Sequence, residues 1–356
     1  MSETETRTPL ASSSYGAMRI FWSFGSDLVS ERIGSYSPVH DVGLKLDGLL
    51  IAPAGLQLAA GFSRGSVESD PINAPPFDWL LPWWNVDTAG KGVIEISLQV
   101  EVEGAWSRWY PMGTWSRTAS SFSCADETAH VDTDTLILAT KSGRYRMRME
   151  LFSGEEKAGS VIVKRVGFIS RDRSAARTPT RPFLLQESAS KVPPRSQMSE
   201  AEDIRGRICS PTCGAMALRY CGVDLPTSFV AADCYDEGAK IYGNWPFNVA
   251  SLWRLGLRAK LDFFPSMEMA VGELFAGRVI IASIKFAEGQ LSGSPIAKTN
   301  GHLVLITGLK KNDSGGFDVL VNDPAAATTS EVPRRYKLTE FENVWNGVGY
   351  VIEGRR

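Results

Sequence analysis

Apolar and polar positions alternate with a period of two through much of residues 20–170. Segment 92–104 places an apolar side chain at almost every second position, and segment 144–152 does the same. A period of two is typical of half-buried antiparallel strands. Segment 159–170 has the composition of a further strand, and glycine and asparagine clusters separate these segments. Because no long stretch has a helical period, the pattern predicts an all-β sandwich.

Residues 196–356 combine helical and strand patterns. Helix-forming residues follow Pro211 and stop before Gly222, and segments 248–257 and 267–277 also have helical composition. Proline suits the first turn of a helix, and glycine suits the position just after its end. Three apolar runs predict buried strands, at 278–286, 302–310 and 317–323. Helices that come before strands in this way predict an α+β domain rather than a doubly wound α/β domain.

The chain has 356 residues, which is more than one hydrophobic core usually serves, so two domains are the first expectation. Residues 171–195 contain four prolines among many polar residues and predict an extended linker. Residues 1–19 are polar and predict a flexible N-terminus. The predicted organisation is therefore the flexible start, a β-sandwich over 20–170, the linker, and the α+β domain over 196–356.

Charge and hydropathy exclude several classes of partner. The formal net charge is −2, so no overall field favours nucleic acid or an anionic membrane. No window approaches about 18 uninterrupted apolar residues, so no membrane span is predicted. The N-terminal segment lacks the apolar core of a secretory signal, which predicts a cytoplasmic protein, or a secreted one if a leader has been removed. Five cysteines are too few for a disulfide framework, although a Cys221–Cys234 pair stays open.

Tryptophan is concentrated in the predicted sandwich, which holds seven of the 10 tryptophans of the chain. Segments 77–85 and 106–115 are the richest in aromatic residues. Such rings either line a groove for a peptide, a glycan or another cell-wall ligand, or fill the core and ends of the sandwich. Core filling is the preferred interpretation, and a glycan or cell-wall ligand is the alternative for this domain.

His302 and Asp323 are predicted to meet at one edge of a sheet. His302 begins a strongly apolar strand, a turn-rich segment follows, and Asp323 comes directly after the next strand. Two antiparallel strands joined by a turn place the start of one beside the end of the other. A carboxylate in that position can orient an imidazole for nucleophilic catalysis.

Cys209 is the candidate nucleophile for such a pair. It lies just ahead of Pro211, at the predicted start of a helix, where the helix dipole and free N–H groups stabilise a thiolate. Cys213 lies one turn further along, where burial would keep it protonated. The spacings between successive cysteines from 209 to 234 are four, eight and 13, whereas a zinc site prefers close pairs. No metal or other cofactor is therefore expected.

These residues with their neighbours resemble the C39-like branch of the papain-like cysteine peptidases. The motifs are SQMSEAEDIRGRICSPTCG, GHLVLITGL and VNDPA. The resemblance implies a papain-like fold for 196–356, with Cys209 as nucleophile, His302 as general base and Asp323 orienting the imidazole. It also implies that Gln197 and the Cys209 backbone N–H donate to the oxyanion. The first half resembles a β domain found fused to C39-like domains in bacterial proteins, which implies no function for it.

The expected function is that of a cysteine peptidase or amidase that forms a covalent thioester with its peptide or amide substrate. The predicted substrate-binding residues are Ser210, beside the nucleophile, and Asn244 and Trp245, in a loop expected to line the cleft. Two alternatives stay open. The same triad could transfer an acyl or peptidyl group to an amine, or the chain could be a non-catalytic binding protein with a vestigial protease fold.

Overall fold

The computed structural model describes residues 17–24, 37–38, 42–154 and 161–356. Within these ranges the protein is mostly β-structure, with a few helices in its C-terminal half. The predicted flexible N-terminus lies outside the described residues except for positions 17–19, which already belong to a strand. The first two residues of the predicted strand 159–170 also lie outside the described residues.

The described part of the N-terminal half forms one connected sheet of 13 strands, here called the N-terminal sheet. Its strands are β1 (Ala17–Ser23), β2 (Ser37–Pro38), β3 (Leu44–Asp47), β4 (Leu49–Ala52), β5 (Gly55–Leu58), β6 (Arg64–Ser69), β7 (Ile72–Thr88), β8 (Val93–Val102), β9 (Ala105–Trp106), β10 (Tyr110–Trp115), β11 (Ala129–Asp132), β12 (Thr135–Phe152) and β13 (Val161–Arg171). The main order is β10-β8-β12-β7-β13-β1-β2. The three strands expected from the period of two are present as β8, β12 and β13. A sandwich consists of two sheets, whereas the described strands are hydrogen-bonded into one network. The sandwich therefore stays a prediction.

The described residues of the C-terminal half form a second sheet of seven strands, here called the C-terminal sheet. Its strands are β14 (Ser188–Ala189), β15 (Leu257–Phe263), β16 (Val279–Phe286), β17 (Thr299–Lys311), β18 (Phe317–Asn322), β19 (Pro333–Lys337) and β20 (Trp345–Arg355). The order is β15-β20-β16-β17-β18-β19, and β14 pairs with β17. The three predicted apolar strands are confirmed as β16, β17 and β18, whereas β15 and β20 were not predicted.

The described helices all lie in the C-terminal half. They are α1 (Cys209–Tyr220), α2 (Thr227–Cys234), α3 (Trp245–Arg254), α4 (Met267–Phe275) and α5 (Leu338–Val344). Helix α1 begins at Cys209 as predicted, and Gly222, with a φ of 85°, follows its end. Only glycine adopts such a backbone conformation without strain, which explains the stop. Helices α2 and α5 were not predicted.

Strand β17 is buried on both faces. Leu303 and Leu305 contact the apolar cluster that contains α1, whereas Val304 and Ile306 contact the cluster formed with α4 and α5. A strand covered on both sides has a continuous apolar sequence instead of an alternating one. This double burial fixes β17 in the middle of the domain and so fixes the position of His302 near its start.

Helix α3 joins the two sheets. Its Phe247 packs against Trp84 and Trp115 of the N-terminal sheet, with ring centroids 5.9 and 5.7 Å apart. In the opposite direction, Trp79 and Trp83 of β7 belong to the apolar cluster of the C-terminal half. Five of the seven N-terminal tryptophans are buried. Trp22, Trp84 and Trp115 lie in the apolar cluster of the N-terminal half, as core filling predicts, whereas Trp79 and Trp83 fill the contact with the C-terminal half.

Buried charges also connect the two halves. Arg165 of β13 forms an ion pair of 2.7 Å with Glu353 of β20, and both side chains are almost fully buried. Arg19 of β1 forms a second buried pair, at 3.0 Å, with Asp262 of β15. The segment 171–195 adds contacts of its own, because Arg177 donates to the carbonyl of Glu342 at 2.7 Å. The described halves therefore pack as one body rather than as two modules on a free linker.

Candidate active site

Cys209 is the first residue of α1, and its side chain is partly buried. The preceding residue, Ile208, provides no side-chain cap, so the first N–H groups of the helix have no acceptor from that side chain. The backbone N–H groups of Ser210 and Leu303 lie close enough to the Cys209 sulfur to lower the pKa of the thiol. The sulfur thus lies between the start of α1 and strand β17, in a position that favours a thiolate.

His302 lies between the sulfur and a carboxylate. Its side chain is buried, and its Nε2 is 2.8 Å from Oδ1 of Asp323. The Cys209 thiol lies close enough to the same imidazole for each group to shift the pKa of the other. Because Nε2 is hydrogen-bonded to Asp323, Nδ1 is the ring nitrogen that is left to interact with the sulfur. The structure therefore brings Cys209, His302 and Asp323 together, with His302 between the other two.

Asp323 is fully buried and held by several donors. Its Oδ1 also accepts from the backbone N–H of Ala325 at 3.0 Å, and its Oδ2 accepts from the Tyr336 hydroxyl at 2.6 Å. Its own backbone N–H donates to the carbonyl of Val332 at 2.8 Å. These contacts fix the carboxylate in the orientation that meets His302.

The three ionisable groups shift one another's pKa values. Burial raises the pKa of Cys209, but His302 and the two N–H donors outweigh it and hold that pKa below its ordinary value. Burial lowers the pKa of His302, but Asp323 and Cys209 raise it to about 10. Burial raises the pKa of Asp323, but His302 and Tyr336 hold it below its ordinary value. These shifts favour the thiolate form of Cys209 and the imidazolium form of His302.

Cys213 lies one turn further along α1 and is completely buried. Its thiol donates to the carbonyl of Leu303 at 3.4 Å, and burial raises its pKa well above the ordinary value. The other cysteines are also free thiols, so Cys221 and Cys234 do not pair. Burial raises the pKa of each of these two as well. Cys209 is thus the one cysteine of the five whose pKa is lowered.

Gln197 is buried and reaches this group through its backbone. Its N–H donates at 2.9 Å to the carbonyl of Pro324, the residue after Asp323. Its Nε2 donates to the carbonyl of Arg205 at 2.7 Å, whereas its Oε1 has no hydrogen-bond partner among the described residues. An amide nitrogen carries two hydrogens, so one remains on Nε2.

The side chain of Ser210 points into the protein. Its Oγ donates to Oδ1 of Asn248 at 2.8 Å and lies 3.0 Å from the Tyr350 hydroxyl. Asn248 in turn donates to the carbonyls of Tyr242 and Asn244, at 2.8 and 2.7 Å. Helix α1, helix α3 and strand β20 are therefore joined behind the nucleophile, and only the Ser210 backbone is left for a substrate.

Two family matches cover most of the chain. Residues 189–353 match the Peptidase_C39 like family, and residues 50–170 match the Peptidase C39 N-terminal domain. The chain therefore contains a C39-like peptidase domain and, before it, a C39 N-terminal domain. The first match includes Cys209, His302 and Asp323, and it begins at β14, within the segment expected to be a linker.

Solved structures of low similarity accompany these matches. A putative C39-like peptidase from Bacillus anthracis is 17% identical, covers 48% of this chain and 98% of its own, and has a TM-score of 0.36. The peptidase domain of Streptococcus ComA, a bi-functional ABC transporter involved in a quorum sensing pathway, is 15% identical, with coverages of 42% and 93% and a TM-score of 0.30. TmCBM61 in complex with β-1,4-galactotriose is 10% identical, with coverages of 37% and 86% and a TM-score of 0.20. No curated protein matches the chain.

In this C39-like domain, Asn244 and Trp245 form the start of α3 rather than an open loop. Asn244 is buried, accepts from the backbone N–H of Phe247 at 3.1 Å and donates to Asp236 at 2.9 Å. The backbone N–H of Trp245 donates to Asp134 of the N-terminal half at 2.8 Å. These contacts hold α3 in place, and a role of either residue in substrate binding stays a prediction.

Sequence reasoning missed the polar side chains that support the C39-like site. Tyr336 on β19 binds Asp323, while Tyr350 on β20 and Asn248 on α3 bind Ser210. None of the three belongs to a recognisable motif. A buried hydroxyl or amide needs a hydrogen-bond partner, and this need is the only signal that the sequence contains for these residues. It does not identify the partner.

The described residues show neither a metal centre nor a membrane-spanning helix. No group of three histidine, cysteine or acidic side chains among them is arranged to hold a metal ion. No described helix is long and apolar enough to cross a membrane. On the N-terminal sheet, Trp106 and Trp109 are half-buried, and Arg146 lies over both rings, at 4.7 and 5.2 Å. A glycan or cell-wall ligand for this sheet stays a prediction.

Proposed function

We propose that the protein is a cysteine peptidase in which Cys209, His302 and Asp323 act as a catalytic triad. The observation that supports it most is the position of His302, which is hydrogen-bonded to Asp323 at 2.8 Å and lies close enough to the Cys209 sulfur to lower the pKa of the thiol. A thiol beside an imidazole that a carboxylate orients is the arrangement required for nucleophilic attack on a carbonyl. The lowered pKa of Cys209 and the raised pKa of His302 agree with a thiolate–imidazolium pair.

The first half of the reaction forms a thioester. The Cys209 thiolate attacks the carbonyl carbon of the scissile amide, and the electron pair of the C=O bond moves onto oxygen. The Cys209 backbone N–H and the remaining N–H of Gln197 Nε2 donate to this oxyanion. When the intermediate collapses, the C–N bond breaks and His302 gives its Nδ1 proton to the leaving amine.

The second half of the reaction releases the acyl group. Neutral His302 takes a proton from water while the water oxygen attacks the thioester carbonyl. The C–S bond then breaks, a carboxylic acid leaves, and the thiolate–imidazolium pair is restored. An amine in place of water gives acyl transfer through the same residues.

We also infer the domain organisation in which this chemistry takes place. Residues 196–356 would form a papain-like α+β domain that binds a peptide, and 20–170 a β-sandwich. This inference is supported by helices α1, α2 and α3, which precede six of the seven strands of the C-terminal sheet, and by the long antiparallel strands of the N-terminal half. Segment 171–195 joins the two.

A covalent probe and two cysteine variants test this function. A peptidyl acyloxymethyl ketone should label Cys209 below pH 8 in the wild-type protein, and a mixture of proteome-derived peptides should be cleaved. Cys209→Ala should lose both activities. Cys221→Ala is the matched control, because this half-buried thiol lies at the end of α1 and its pKa is raised. Peptide cleavage by Cys209→Ala at the wild-type rate would overturn the triad, and absence of any cleavage or early labelling would favour a binding protein.

A further inference from the structure

A cleft of about 760 Å³ lies at the end of the C-terminal sheet that also carries His302. Buried aromatic and aliphatic side chains, including Phe286, Val344 and Trp345, form part of its lining. Two lysines, Lys285 and Lys298, line it together with a set of amide side chains, which are Gln290, Asn300, Asn343 and Asn346. Its volume is sufficient for several residues of an extended peptide.

The cleft adjoins the proposed catalytic group through the sheet itself. Ile284 of β16 pairs with His302 on one side and with Trp345 on the other, and Lys285 follows it directly. Thr299, which lines the cleft, precedes His302 by three residues on the same strand. A strand rises about 3.3 Å per residue, so this wall begins about 10 Å from His302.

The charge of the cleft is one-sided. Its lining contains two lysines and no aspartate or glutamate. Both lysines are exposed, and no ion pair holds either of them among the described residues. The acidic residues of the adjoining helix α5 are bound elsewhere, since Glu340 accepts from the Ser292 N–H at 2.7 Å and Glu342 accepts from the Met267 N–H at 3.2 Å. Two ammonium groups and several amide donors therefore face the same space.

We propose that this cleft is a subsite for an acidic side chain of the peptide substrate, within about three residues of the scissile bond. The proposal rests on the proposed peptidase function, because it assigns a preference to the same site. A carboxylate there meets the ammonium groups of Lys285 and Lys298, and the asparagine amides can donate to it as well. The distance of three residues follows from the rise of an extended chain along the strand.

Charge reversal in the cleft tests the preference. The variant carries Lys285→Glu with Lys298→Glu, and the matched control carries Lys310→Glu with Lys311→Glu, two exposed lysines at the opposite end of β17. In a proteome-derived peptide mixture, the wild type and the control should enrich Asp and Glu near the cleaved bond. The cleft variant should lose this enrichment, and its kcat/KM for an acidic peptide should fall on the order of tenfold, while that for the same peptide with glutamine changes less than about twofold.

A binding measurement separates failure of the subsite from failure of the triad. With Cys209→Ala, a fluorescent glutamate-rich peptide should bind more tightly than its glutamine counterpart, and the difference should shrink as salt rises. Equal binding of the two peptides, or the same affinity after reversal of both lysines, would overturn the subsite. Alkylation of Cys209 with iodoacetamide should keep its rate in the cleft variant. Absence of early alkylation in the wild type would instead overturn the triad and leave the binding result to decide the cleft.

Discussion

Replacing Asp323 by asparagine removes a charge from the candidate site and preserves its shape. In the wild type, Oδ1 of Asp323 accepts from Nε2 of His302 and from the Ala325 N–H. The amide oxygen of the asparagine can still accept from both. The amide nitrogen takes the place of Oδ2 and can donate to the Tyr336 hydroxyl, which donates to Oδ2 in the wild type. The variant therefore tests the charge of Asp323 rather than its packing.

The size of the effect follows from the strength of a charge-assisted hydrogen bond. Such a bond contributes about 1.5–3 kcal/mol, and 1.4 kcal/mol corresponds to a factor of 10, so its loss changes an equilibrium roughly 10- to 150-fold. The wild-type pKa of His302 is about 10, so the imidazolium is present below that pH and is lost above it. The loss of this bond lowers the pKa of His302 by about 1–2 units, so the variant loses its imidazolium at a lower pH than the wild type, whereas both proteins keep it at about pH 6.

The assay is the rate at which iodoacetamide alkylates Cys209, followed by mass spectrometry of its peptide across pH. At about pH 6, where both proteins keep the imidazolium, the rate for Asp323→Asn should be close to the wild-type rate. Around pH 9 it should fall several-fold or more below the wild type, because only the wild type still pairs the thiolate with an imidazolium. Asp318→Asn is the control, because Asp318 lies on β18, the strand that ends just before Asp323, and accepts from Asn312 at 3.0 Å. An Asp323→Asn rate that equals the wild-type rate at every pH, or an equal loss in Asp318→Asn, would refute the reasoning.

Three further substitutions have distinct expected outcomes. Gln197→Ala should lower kcat for peptide cleavage roughly 10²–10³-fold through loss of an oxyanion donor. Alkylation of Cys209 forms no oxyanion, so its rate should stay unchanged in this variant. A loss of peptide cleavage with unchanged alkylation then identifies the loss of an oxyanion donor rather than damage to the nucleophile. Arg165→Met leaves Glu353 buried without its closest partner and should lower the free energy of unfolding by about 3–5 kcal/mol in urea. Burial raises the pKa of Asp134 from 3.8 to about 6, so the folded state keeps this proton longer than the unfolded chain. One component of the free energy of unfolding should therefore decrease as the pH rises from about 4 to about 6. Urea titrations at several pH values should show this component in the wild type and not in Asp134→Asn.

The residues that sequence reasoning placed correctly share one property, since their positions follow from local rules. Cys209 begins α1 because a proline two residues later and a glycine after the helix define its ends. His302 and Asp323 meet because they belong to consecutive strands of a hairpin, where pairing brings the start of β17 beside the end of β18. Hairpin pairing and helix capping are encoded within a few residues, so a single sequence is sufficient to predict them.

The contacts that escaped prediction join elements that are distant in the sequence. Arg177 belongs to a segment with the composition of a solvated linker, yet it donates to the Glu342 carbonyl. Backbone carbonyls are identical in every residue, so the sequence does not mark such an acceptor. Asn248 and Tyr350 reach Ser210 from helix α3 and strand β20. Their meeting depends on how the layers stack, and no local pattern contains that information.

Helix α3 links the N-terminal half to the candidate site. Its Phe247 packs among Trp84 and Trp115, and its first N–H is bound by Asp134. Its Asn248 binds Ser210, the residue next to Cys209. Aromatic pairs contribute about 0.5–1.5 kcal/mol each beyond the area they bury, so removal of the N-terminal half would leave α3 without its main support. The N-terminal half is therefore part of the structure that positions the nucleophile, and the C39-like domain is not expected to keep this geometry by itself.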